Sequence, residues 1–70
     1  MDFFDLPEVI AIFKAGNIDS FLTDLDLNDL ALISHEMEGF AQKHNRHSDL
    51  KPLLITINNI IDERRAAMTN

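Results

Sequence analysis

The chain has 70 residues, no cysteine, and twelve acids against six lysines and arginines, giving a formal net charge of −6 and a pI near 4.7. This length allows one domain at most, and a single core of this size rarely supplies more than roughly 3–5 kcal/mol of net stability. The missing cysteines exclude a disulfide framework and thiolate chemistry, and the acidic balance argues against direct nucleic-acid binding.

Residues 1–4 read Met-Asp-Phe-Phe. Adjacent Phe3 and Phe4 do not share one helical stripe, so one of them is expected to fold back over the core. Asp2, Asp5 and Glu8 interrupt the apolar residues, with no basic segment before them, which does not fit a signal peptide. A first helix opens at Asp5 or Leu6. Pro7 suits its first turn, where a missing N–H costs nothing, and Glu8 complements the helix dipole. Leu6, Val9, Ile10 and Phe13 form its apolar stripe, and Gly16 supplies a left-handed stop.

Asn17 is placed to cap a second, short helix over residues 18–25, with Ile18, Phe21, Leu22 and Leu25 at spacings of three and four. Alone it is too short to persist in water. Asp26 opens the third helix. Its side chain can cap, Asp29 stands three residues on, and Leu25 and Leu30 occupy the hydrophobic-staple positions. That helix runs to Lys43 or His44, with Leu30, Ile33, Met37, Phe40 and Ala41 inward and Leu32 outward beside Glu36 and Gly39. Gly39 inside a helix costs roughly 1 kcal/mol relative to Ala, and suggests a close approach by a neighbouring helix.

Lys43 to Asp49 reads as a hydrophilic loop, with Ser48 or Asp49 capping the last helix and Pro52 in its first turn. Leu50, Leu53, Leu54, Ile57, Ile60 and Ile61 then recur at helical period, and Met68 extends the same side. This wide stripe is what the other segments must cover. An alternative is a hairpin over 53–61, since the β-branched content suits strands and Asn58-Asn59 tolerates a tight turn. Two strands alone are marginal, however. Ile55 points away from the stripe. The expected fold is therefore all-α: one domain, residues 1–70, a small bundle of three longer helices plus one short helix. No run approaches the ~18 apolar residues of a membrane span, so a cytoplasmic, membrane-free protein is expected.

Several patterns bear on chemistry. Asp24-x-Asp26-x-Asn28 begins like an EF-hand loop. Asp29 stands where that loop needs Gly and His35 where it needs the closing Glu, so turn and closing ligand are both lost. His35-Glu36 begins like a zinc-protease helix, but Gly39 occupies the second histidine's place. His35, His44 and His47 lack the paired, tight spacing of zinc ligands. Asp19-Ser20-Phe21 resembles the Asp-Ser-Leu at the helix start of acyl carrier proteins, small acidic bundles whose serine carries a phosphopantetheine. The likeness covers three residues and the charge. Carriers have a full helix and a long loop before the serine, whereas nineteen residues precede Ser20 here. Lys43, Arg46, Lys51, Arg64 and Arg65 form a basic patch only if the loop lies near the end of the last helix. The core is also expected to leave little room for a ligand pocket, which usually needs ~300 Å³. No catalytic, cofactor-binding or metal-binding residue is assigned, no cofactor is expected, and the chain is not expected to be an enzyme.

The charge is uneven. Residues 1–41 hold nine acids and one lysine, a net −8, whereas residues 42–70 carry +2. Such a front half favours a basic protein surface, although acids also serve simply to keep a small chain soluble. The sequence thus points to an acidic protein–protein interaction module that regulates or inhibits a larger protein, one that itself may meet nucleic acid in the simplest case of a basic partner. Its acidic face is Asp19, Asp24, Asp26, Asp29 and Glu36. A self-associating assembly subunit is the alternative, a homodimer in the simplest case, driven by an apolar patch of Phe3, Phe4, Leu32 and Ile55.

Overall fold

The computed structural model describes residues 5–68, which form four helices and, among the described residues, no strand. These are α1 (Leu6–Lys14), α2 (Ile18–Thr23), α3 (Leu27–Lys43) and α4 (His47–Met68). The fold is a small all-α bundle of three longer helices and one short one. Phe3 and Phe4 lie outside the described residues.

Each break has a local cause. Asp5 caps α1 by accepting from the Glu8 N–H at 3.3 Å, with Pro7 in the first turn. α1 ends at Gly16 (φ 83°), where the Asn17 N–H reaches the Ile12 carbonyl and the Gly16 N–H the Phe13 carbonyl. This crossed pair is a Schellman stop, which places a residue in the left-handed region. The same device ends α3. Asn45 takes φ 54°, Arg46 N–H bonds Ala41 O at 2.8 Å, and Asn45 N–H bonds Gln42 O. Asn is the commonest substitute for Gly at this position.

That stop shortens the expected loop. The connection is only residues 44–46, and α4 begins at His47 rather than after a Ser48 or Asp49 cap. Pro52 consequently sits in the second turn, where it withholds one backbone bond from the Ser48 carbonyl. Thr56 Oγ1 donates to Pro52 O at 2.9 Å. The hairpin alternative over 53–61 is excluded by the continuous helix. Asn17 stands at the start of α2 but makes no capping bond with its side chain. Its ψ of 11° is not the extended conformation from which an N-cap side chain reaches forward.

α3 and α4 pack antiparallel as the main layer, and α1 and α2 cover it. The core draws Leu6, Val9 and Ile10 from α1, Ile18 and Leu22 from α2, Leu30, Ile33, Met37 and Ala41 from α3, and Leu50, Leu53, Ile57 and Ile61 from α4. Phe13, Phe21, Leu25, Phe40, Leu54 and Ile60 are half-buried around it. Met68 continues the α4 stripe but is 72% exposed. Arg64, one turn earlier, already lies against the corner that precedes α3, so the last turn of α4 overhangs its partner. Gly39 also departs from expectation: it is exposed, and a Cβ built there meets nothing within 4 Å. No neighbouring helix approaches it.

Candidate functional site

The acidic candidates are set by the turn between α2 and α3. Asp24 ends α2, and Asp26 opens α3 by accepting from the Asp29 N–H at 2.8 Å. Capping thus occupies the Asp26 side chain that the EF-hand-like spacing had offered to calcium. Asp24 and Asp26 are exposed and Asp29 is half-buried. Asp19 lies in the first turn of α2, about 7 Å further along that helix axis. Glu36 follows Asp29 by seven residues on the same side of α3, about 10 Å along. Asp24, Asp26 and Asp29 therefore form one corner, with Asp19 and Glu36 flanking it at a distance.

Arg64 anchors this corner from α4. Its guanidinium donates Nη2–H to the Thr23 carbonyl at 2.7 Å and Nη1–H to the Leu25 carbonyl. Both oxygens sit where a helix has just ended and intrahelical donors have run out. The planar fork suits two carbonyls at once, which a lysine ammonium on a single stem does not match. No local sequence signal announces this contact, because the partners are 39 and 41 residues away.

The basic residues separate. Arg46 binds Asp49 in an ion pair at 2.5 Å, and its guanidinium carbon lies 5.9 Å from the Phe40 ring centre. The bond from Arg46 holds the Asp49 carboxyl below its ordinary value of 3.8, and the charge of Lys14 acts in the same direction. Lys14 and Arg46 thus belong to the end where α3 turns into α4. Arg64 is eighteen residues along α4 from Arg46, about 27 Å by helical rise. The five candidate bases do not share one patch, because the loop lies at the start of α4 rather than near its end.

Two surface clefts stand apart from the corner, so the small core has not left the surface featureless. One, of about 320 Å³, is lined by Leu6, Glu36, Gly39, Phe40, Lys43 and His44, with the His44 ring 4.4 Å from that of Phe40. The other, of about 480 Å³, runs between α3 and α4 past Ser34, His35, Glu38, Asn58, Asp62 and Arg65. Ser34 donates to Asn58 at 3.0 Å at its floor. Both are open to solvent. Among the described residues, no three of His, Asp and Glu converge as metal ligands. Ser20 lies exposed in the first turn of α2.

The apolar candidates are dispersed. Leu32 is half-buried on α3 between Asp29 and Glu36. Ile55 is 49% exposed on α4, on the side of Asn59 and Asp62. No described helix is long and apolar enough to cross a membrane.

No family model matches the chain, and neither a curated protein nor a solved structure matches it significantly. Any functional reading therefore rests on the charge layout and the corner.

Proposed function

We propose that this chain is a small, non-catalytic, cytoplasmic interaction module. It docks its acidic corner on the basic surface of a larger protein and thereby regulates or inhibits it. The observation that carries the reading is the corner itself. Three carboxylates, Asp24, Asp26 and Asp29, project from one turn whose backbone is fixed by a cap and by Arg64. A charge pattern on a fixed turn loses little conformational entropy on binding, and its long-range field steers association. A basic surface that otherwise receives nucleic acid is the natural complement.

The test is capture of partners on tagged protein, washed at low and high salt. Asp24→Lys and Asp29→Lys are compared with the parent chain. Asp26→Asn is used at the cap because Asn retains that role while removing the charge. Loss of a stoichiometric partner in the variants, together with its release by salt in the parent, supports the reading. Unchanged capture by the charge-reversed protein refutes it.

A further inference from the structure

We infer that the α1–α2 arm is exchangeable between two copies of this chain, with Asp24–Asp26 as the hinge and Arg64 as the latch that keeps the monomer closed. The hinge is unusual in its composition. From Asn17 to Glu38 the chain contains neither Gly nor Pro, so nothing covalent forbids a single helix across residues 18–43. Asp24 already has helical angles (φ −77°, ψ −10°). Asp26 departs through its ψ of 175°. Turning the hinge residues to helical values would join α2 to α3.

The straightened chain is unable to cover itself. Leu6, Val9, Ile10, Ile18 and Leu22 would leave the core, and α3 and α4 would lose the surface those side chains fill. The complementary surface is the same one on a second copy. Exchange reproduces every arm contact between molecules, so those contacts do not discriminate closed from exchanged forms. What discriminates is confined to the hinge. The closed form alone has the Arg64 bonds to Thr23 and Leu25 and the Asp26 cap. In the straight helix those carbonyls accept from backbone N–H groups instead. The balance between monomer and dimer is thus set at two side chains, Arg64 and Asp26.

The test uses light scattering on the full chain, refolded at high micromolar concentration. Arg64→Met keeps an unbranched apolar stem and removes the fork. It is expected to raise the fraction at twice the 8.0 kDa chain mass at least fivefold over the parent. Asp26→Ala, which removes the cap and favours helix, is expected to act in the same direction and serves if Arg64→Met does not fold. Leu27→Pro supplies the lock. Residue 27 is the first of α3, where Pro is favoured, and Asp26 already has the extended conformation that must precede it. A continuous helix through residue 27 is blocked. Adding Leu27→Pro to either variant should restore the monomer. Folded Arg64→Met and Asp26→Ala proteins that both stay monomeric overturn the inference, as does a dimer that persists with Pro at 27.

Discussion

The two glycines offer the sharpest check on the backbone argument. Neither has any neighbour within 4 Å of the position a Cβ would take, so replacing either by Ala creates no clash and buries almost no new surface. They differ in conformation alone. Gly39 lies in the middle of α3, where Ala is favoured by roughly 0.8–1.0 kcal/mol. Gly16 has φ 83° in the stop of α1, where an L side chain costs roughly 1–2 kcal/mol, partly offset by the stiffer unfolded chain. Gly39→Ala is therefore expected to stabilise by about 1 kcal/mol and Gly16→Ala to destabilise by about the same amount. In a domain this small each is a shift of roughly 4–8 °C in Tm. Urea unfolding followed by far-ultraviolet circular dichroism measures both, and parallel slopes are required for the comparison. The same sign for the two substitutions, or a loss of stability in Gly39→Ala, would refute the reasoning. Gly39→Ala would then point to something pressing on that face.

The core and the ion pair give two further expectations. Ile57 is fully buried, and Ile57→Ala should cost roughly 2–5 kcal/mol. That equals most or all of the net stability such a core supplies, so the variant should be largely unfolded in denaturant-free buffer, as judged by loss of amide dispersion in NMR spectra. The Asp49 carboxyl should titrate below 3.8 because Arg46 and then Lys14 favour its ionised form. Its folded value is depressed, so this contribution is complete above the unfolded value and fades as pH falls through the folded one. A carboxyl NMR titration checks this. Arg46→Gln should return the midpoint towards 3.8, and an unmoved midpoint would dismiss the pair.

What the sequence disclosed followed the range of each signal. The stripes of α1, α3 and α4 were legible because burial imposes a period of 3.6 on consecutive residues. Asp5, Gly16 and Asp26 were legible because capping chemistry is local. Asn45 was not, since Asn in a polar run is compatible with many backbones, and the misplaced start of α4 followed from that one residue. Gly39 was read as a close approach, although an exposed glycine leaves the same trace in a sequence. The carboxylates of the corner could be named in advance, but the Arg64 anchor could not. A bond spanning some forty residues has no pattern until the fold brings its ends together.

The three-residue connection between α3 and α4 also sets an order of events during synthesis. These two helices make their main contacts locally, and a helical hairpin with so short a closure forms quickly once both halves are present. The first 23 residues are in the opposite position. They carry Leu6, Val9, Ile10, Ile18 and Leu22, but the surface that buries these side chains is encoded downstream. While the chain is still being made they have only each other, and α2 has too few residues to hold its helix alone. The N-terminal third must therefore wait for the α3–α4 hairpin to leave the ribosome before it acquires a stable structure.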